Sequence, residues 1–442
     1  HAIQRSLHMC TRYPTEFTYV YTLSNGVYIN QNTLLLIHDH FAPAEYVLRK
    51  NVFLLGVEDV VAKFVELDSD IDLFNIRKYP IFYMIQTFCT KRMIILPLKD
   101  FYDLVDSIDT SIDTSDRNVV WLFHTLRCGS TVWSQVFAAL PKWKVIAEAQ
   151  CMIYTLLQCR NILNISEFAK TEEFEKIVVA SIKMHMFLAP KGHSIFWTTI
   201  RFDEHMIPII RKHFPSHKLL FAYRDCAPCS SSFYKSFGRD PLLMNNVAHT
   251  CKELSWDNDD GLHRNAIARS TWLFFTNGYN TEFCLKVFKK CKPYPNGFEF
   301  FVLSWVTKLA LISEFQKEGI NFHLLKYEDL QKDPVSVIQT LFTHLGVSSE
   351  LIGLARETMK QDSQAGTFFS QESKKSNRDW LRTPDSDMRC NALLREFNLP
   401  SLDSATVLWQ YSIWDQCYSH TLLFLTQWYV KNNWKWKSFI FM

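Results

Sequence analysis

From Asn118 onward the chain alternates between short apolar runs of strand length and segments with helical spacing. No other feature constrains the fold as strongly. The runs fall at Val119–His124, Trp143–Ala147, Ser194–Ile200, Lys218–Arg224 and Asn321–Tyr327, with helical stretches such as Glu204–His213 between them. Strands buried on both faces and joined by helices predict a parallel sheet covered on both sides, with right-handed crossovers. Ligands of such a sheet sit beyond the carboxyl ends of its strands.

The rest of the chain has a different texture. Residues 1–106 predict a small N-terminal α+β unit. Strand-like runs at Phe17–Leu23 and Thr33–His38 flank a turn at Asn25-Gly26, and helical patterns follow at Ala44–Arg49 and Gln86–Thr90. No catalytic constellation lies in this unit, so it reads as an interaction or packing domain. The acidic, Ser/Thr-rich stutter "SIDTSIDTSD" from Ser107 to Asp116 reads as a linker over residues 107–117. A larger α/β domain then spans 118–400, and an aromatic-rich tail spans 401–442. The tail holds Trp409, Trp414, Trp428, Trp434 and Trp436, and it ends in "NNWKWKSFIFM". It reads either as an interfacial membrane contact or as a terminal helix docked on the core.

Composition limits the chemistry. A formal net charge of only +3 over 442 residues means that an anion site depends on local Arg and Lys placement, and nucleic acid is not an expected partner. The 12 cysteines form no dense framework and read as buried thiols. Cys226 and Cys229 make a lone C-x-x-C without a second half, so no metal site is expected. No run of eighteen apolar residues predicts a transmembrane helix.

Three phosphate-directed stretches lie at strand ends. In "FHTLRCGSTVW", Phe123–Trp133, a strand runs through a Gly-containing turn into a helix. Gly129 permits close backbone approach, Ser130 and Thr131 sit at a helix start, and Arg127 adds a permanent cation. The Lys of a nucleotide hydrolase loop, G-K-[ST], is missing. In "FAYRDCAPCSSSFY", Phe221–Tyr234, an apolar strand ends in Arg224, and Ser232 follows eight residues later. That spacing lets both face one anion; the plain alternative is an Arg224–Asp225 surface pair beside a Ser-rich cap. In "LLKYEDLQKDP", Leu324–Pro334, a strand ends at Tyr327, and Asp333-Pro334 opens a helix.

Together and in this order, the three stretches resemble the sulfotransferase family over residues 118–400, about two thirds of the chain. "LRCGST" is similar to the 5′-phosphosulfate loop in its carbohydrate-type R-S-G-S-T form, "YRD…SSSF" to the 3′-phosphate element, and "LLKYEDLQKDP" to the segment near the adenine. The resemblance implies a three-layer α/β/α fold of the P-loop NTPase-like kind. It also implies transfer of a sulfuryl group from 3′-phosphoadenosine 5′-phosphosulfate (PAPS) to a hydroxyl or amine acceptor, such as a glycan or small molecule, without a metal. Arg127, Cys128, Gly129, Ser130 and Thr131 would hold the 5′-phosphosulfate, with Arg127 neutralising charge on the bridging oxygen. Arg224 and Ser232 would hold the 3′-phosphate, Lys374 and Lys375 would add basic contacts there, and Tyr327 would lie near the adenine. A donor without β- and γ-phosphates also accounts for the missing loop Lys.

This chain departs from the family in places. Cys128 replaces a small Ser, Val132 stands where many members carry an aromatic, with Trp133 one place late, and no Pro follows Arg224-Asp225 directly. A Lys-x-His strand end has no clear counterpart. Glu148 and Glu204, each after a strand, are the expected bases, with His185 and His205 as alternatives. Two other readings stay open: a non-catalytic nucleotide-binding scaffold and a P-loop kinase or hydrolase. Acceptor choice is expected in the insertion Asp257–Gly297, whose edge carries Lys289, Lys290 and Lys292, either facing an acidic acceptor or simply solvated. Cytoplasm and Golgi lumen both remain possible compartments. Asn164-Ile165-Ser166 is a glycosylation sequon that matters only in the latter.

Overall fold

A computed structural model describes residues 18–23, 36–58, 60–82, 85–86, 89–109, 117–149, 165–199, 203–237, 241–255, 266–290, 297–363 and 383–406. The Asn25-Gly26 turn, Asn164, Lys292, Lys374, Lys375 and the tail beyond 406 lie outside them.

The first sheet is antiparallel. It is built from β1 (Thr18–Leu23), β2 (Leu36–Ala42), β3 (Val52–Glu58), β4 (Val61–Leu67) and β5 (Thr90–Pro97), in the order β2-β1-β5-β4-β3. The expected helix at Ala44–Arg49 is a 3-10 turn, Ala44–Leu48. The expected helical stretch from Gln86 stops short of Thr90, which already belongs to β5. The β-branched run "MIILP" pairs residue for residue with β4, and that pairing outweighs local helical spacing. Helix α1 (Leu98–Asp109) follows.

The second sheet is parallel throughout. Its strands are β6 (Val119–His124), β7 (Trp143–Ala147), β8 (Ser194–Thr198), β9 (Lys218–Tyr223) and β10 (His323–Lys326), ordered β10-β9-β6-β8-β7. The chain is therefore α/β, with a central five-stranded parallel sheet flanked by helices. The principal helices after β6 are α2 (Ser130–Ala139), α3 (Glu172–Leu188), α4 (Ile207–His213), α5 (Cys226–Phe237), α6 (Pro241–Ser255), α7 (Ala266–Thr276), α8 (Thr281–Lys289) and α9 (Phe298–Lys317). After β10 come α10 (Tyr327–Lys332), α11 (Pro334–Leu345), α12 (Ile352–Met359) and α13 (Pro384–Glu396).

Successive residues of β6 point to opposite faces, and each face has its own core. Val119, Trp121 and Phe123 pack with α3, α4 and α9, and their cluster continues into the antiparallel sheet through residues such as Phe53 and Phe64. Val120 and Leu122 pack on the other face with Trp133 and Phe137 of α2 and with Ile338 and Phe342 of α11. Strand β9 splits in the same way, Leu219 and Phe221 to the first core and Leu220 and Ala222 to the second. Every residue of β6 is buried, which accounts for its uninterrupted apolar run.

This topology positions the site. Strands β6 and β9 are neighbours, yet the helices that follow them leave toward opposite faces: α2 joins the second core and α5 the first. Where successive helices diverge, a crevice opens at the carboxyl ends of the strands.

Candidate functional site

The loop from β6 to α2 is wound tightly. Leu126 and Arg127 adopt left-handed φ values of 64° and 49°, and Gly129 one of 86°. For a side-chain-bearing residue this conformation costs about 1–3 kcal/mol and persists only where contacts over-determine it. Here they do. Thr125 N–H donates to Ala222 O at 3.0 Å, Leu126 N–H donates to His124 Nδ1 at 3.1 Å, and Cys229 Sγ lies 3.1 Å from Leu126 O. His124 is buried, and its Nε2 donates to Thr199 O at 2.9 Å, so both ring nitrogens are committed and the tautomer is fixed.

Helix α2 starts at Ser130 with Gly129 as its N-cap, and no side chain caps it. The first turn of such a helix presents backbone N–H groups and the positive end of the dipole. A Cβ on Gly129 would lie 2.9 Å from Tyr327 Cδ2, so only glycine fits between the loop and that ring. Cys128 departs from the sequence expectation. Its side chain is buried beneath the loop with Sγ 3.3 Å from Ala222 O, so at most its backbone faces an anion. Burial pushes the thiol up to about 11. Trp133 is likewise core and not an exposed stacking platform.

The second and third stretches converge on the loop. Arg127 Nε donates to Ser232 Oγ at 3.2 Å, across 105 residues of sequence. The Arg224 guanidinium lies over the Tyr327 ring, 4.6 Å from its centroid, with Nε 3.5 Å from Glu328 Oε1. Arg224 does not pair with Asp225. Asp225 instead holds Lys326 at 2.9 Å and accepts from Thr406 N–H at 2.7 Å. Asp333 caps α11 through Ser336 N–H, with Pro334 in the first turn, as the sequence predicts.

The expected bases fall in different environments. Glu148 follows β7 with φ 58°, and its N–H donates to Thr198 O at 2.9 Å. No hydrogen bond from a described residue reaches its carboxylate. Burial pushes its pKa up to about 7, against the opposing pull of Arg127 and Lys308. Glu204 is a correction: it is 0% exposed and ion-paired to Lys308, which is itself 1% exposed. An enclosed carboxylate whose reach is taken by an ammonium does not meet an acceptor's proton. The two histidine alternatives are core residues as well. His185 Nδ1 donates to Ser181 O, with burial lowering its pKa to about 4, and His205 Nε2 donates to Asn277 O.

Tyr327 is held inside the site by the loop glycine and Arg224. Lys290, at the edge of the insertion, is engaged with Glu396 at 2.9 Å. The sequence reading missed His124, Lys308 and Glu328. The first two sit in apolar stretches that read as core, and Glu328 reads as ordinary first-turn acidity. Among the described residues, no cluster of three or more His, Cys, Asp and Glu is placed to hold a metal, and no helix is long and apolar enough to cross a membrane. What the arrangement offers an anion is an uncapped helix start, two guanidinium groups and a hydroxyl at the carboxyl ends of β6 and β9, with the Glu148 carboxyl close enough to feel Arg127.

Among solved structures, a sulfotransferase from Alicyclobacillus acidocaldarius is similar to this chain, with 12% identity and a TM-score of 0.28, over 53% of this chain and 82% of that one. No protein-family model matches the chain, and no curated protein does.

Proposed function

We propose that this chain is a PAPS-dependent sulfotransferase that moves a sulfuryl group to a hydroxyl or amine acceptor. The observation that carries the reading is the 3.2 Å hydrogen bond from Arg127 Nε to Ser232 Oγ. It joins the glycine loop to the β9–α5 element, the two segments whose sequences resemble the donor's 5′ and 3′ binding elements. The fit is supported by the start of α2, which no side chain caps, and by the Nη edge of Arg224, which no described residue engages. An anion would complete both.

In this reading Arg127, Gly129, Ser130 and Thr131 hold the 5′ end, and Arg224 and Ser232 hold the 3′-phosphate, with Lys375 a further candidate. The donor supplies the sulfuryl group on a phosphate leaving group. Arg127 offsets the negative charge that grows on the bridging oxygen, and its fixed position means little reorganisation is needed. Glu148 takes the acceptor's proton; a carboxylate near pKa 7 is well matched to that task at neutral pH. Tyr327 serves as the brace between loop and Arg224.

Thermal unfolding with 3′-phosphoadenosine 5′-phosphate and with ATP, at equal concentration, tests this directly. At a hundredfold excess over the dissociation constant, binding adds about 2.7 kcal/mol. Stabilisation by the 3′-phosphorylated nucleotide, weak with ATP and lost in Arg224→Ala, is the expected result. An equal response to ATP points to phosphoryl chemistry instead, and no response to either points to a scaffold.

A further inference from the structure

We infer that Glu328 is a positioning residue that aims Arg224 at the 3′-phosphate, an inference that rests on the function proposed above. The guanidinium is constrained from several directions. Its Nε lies 3.5 Å from Glu328 Oε1 and its Cζ lies over the Tyr327 ring, 4.6 Å from the centroid, while the backbone that carries it is held by the Arg224 carbonyl accepting from Trp305 Nε1–H at 2.9 Å. Glu328 also faces the neighbouring backbone: both of its oxygens lie 3.4 Å from Asp225 N. One carboxylate from α10 thus braces both the side chain and the turn that follows β9, from 103 residues away in sequence.

The geometry separates the two edges of the guanidinium. Glu328 faces the Nε edge, and among the described residues no acceptor engages Nη1 or Nη2. An arginine fork grips a phosphate best through two parallel N–H bonds, so its orientation decides its affinity. Asp225 is drawn elsewhere: its Oδ1 holds Lys326 and accepts from Thr406 N–H. A Glu at 328 therefore leaves the Nη edge of the fork for the phosphate while its own negative charge stays at the Nε edge.

The test is titration calorimetry of wild type, Glu328→Ala, Glu328→Gln and Arg224→Ala with 3′-phosphoadenosine 5′-phosphate and with adenosine 5′-phosphate. In Glu328→Ala, affinity for the 3′-phosphorylated nucleotide should fall about tenfold, the scale of a charge-assisted contact. Affinity for adenosine 5′-phosphate should stay within about twofold, as for a contact that never sees the 3′ position. Glu328→Gln, which keeps an acceptor for Asp225 N–H but loses the charge, should fall between, and it carries the test if the alanine variant does not fold. In the Arg224→Ala background, Glu328→Ala should add no further loss, because there is no fork left to aim. Tighter binding in either Glu328 variant would make Glu328 a competitor of the phosphate and overturn the inference. Equal loss for both nucleotides, or no change, would overturn it as well. A wild type that does not distinguish the two nucleotides would instead sink the proposed function itself, and this inference with it.

Discussion

The Tyr327 ring occupies the space over Gly129, where a Cβ would come within 2.9 Å of Cδ2. The ring has little room to retreat, because Arg224 covers it. Gly129 is also at φ 86°, where an L side chain is strained by about 1–2 kcal/mol. Gly129→Ala should therefore lower the unfolding temperature and weaken nucleotide binding more than tenfold. Calorimetry and thermal unfolding on one preparation check both, and an alanine variant that binds like wild type would remove the loop from the site.

Arg127 and Ser232 should differ in the step they affect. Removing a preorganised charge donor typically costs about 10²–10³ in kcat, and Arg127→Ala is expected in that range. Ser232→Ala removes only the hydroxyl that accepts from Arg127 Nε and should cost much less in kcat while raising the donor KM. Steady-state kinetics with a sulfuryl acceptor make the comparison; equal kcat losses would mean that the two act as one unit.

The Glu148 carboxyl, raised by burial to about 7, predicts a pH profile. As a base it works ionised, so activity should rise as pH passes through about 7 and level off above. The stability effect has the opposite sign. The folded state holds this proton more tightly than the unfolded chain, whose carboxyl titrates at about 4.3. The contribution is complete below that value and is lost as pH rises through about 7. Glu148→Gln should abolish turnover and flatten this part of the stability curve, read by denaturant titration at several pH values.

His217 predicts acid sensitivity elsewhere in the fold. Burial lowers its pKa to about 4, and Trp121 Nε1–H donates to its Nδ1 at 3.1 Å, where a proton would collide with that donor. The unfolded chain takes up a proton near 6.5. Stability should be full above that value and fall by about 1.4 kcal/mol per pH unit toward pH 4. His217→Gln should reduce the slope, and an unchanged slope would exclude His217 as a source.

Lys308 and Glu204 form a wholly enclosed ion pair joining α9 to the turn before α4. Lys308→Met leaves Glu204 buried and unpaired and should cost about 3–5 kcal/mol. The double change Lys308→Met with Glu204→Leu should recover most of it. Chemical denaturation of Lys308→Met, Glu204→Leu and the double variant gives the coupling, and additive losses would mean the pair contributes little as a pair.

Much of the fold was legible in the chain because the signals are local. The continuous apolar runs become β6 to β10 within a few residues of the expected ends, and Asp333-Pro334 opens α11 by capping chemistry that involves only its own neighbours. The glycine loop, Arg224 and Ser232 were visible for the same reason: a strand end, a turn and a helix start are encoded within a dozen residues. Strand content near Thr90 was not, since pairing with β4 decides it and β4 lies more than twenty residues away.

What the sequence by itself determined is the alternation of strands and helices, the two cores it implies, and which segments bear cations at strand ends. Which residues face the crevice was decided only by the tertiary structure. Cys128 turned into the core, Glu204 was enclosed with Lys308, and Asp225 was drawn to Lys326 and away from its neighbour Arg224. Glu328 reached Arg224 across a hundred residues, and Arg127 reached Ser232. Backbone patterning depends on near neighbours, whereas burial and charge pairing depend on every element that packs against a side chain. A period of two or 3.6 residues can therefore be read along the chain, and a long-range contact cannot.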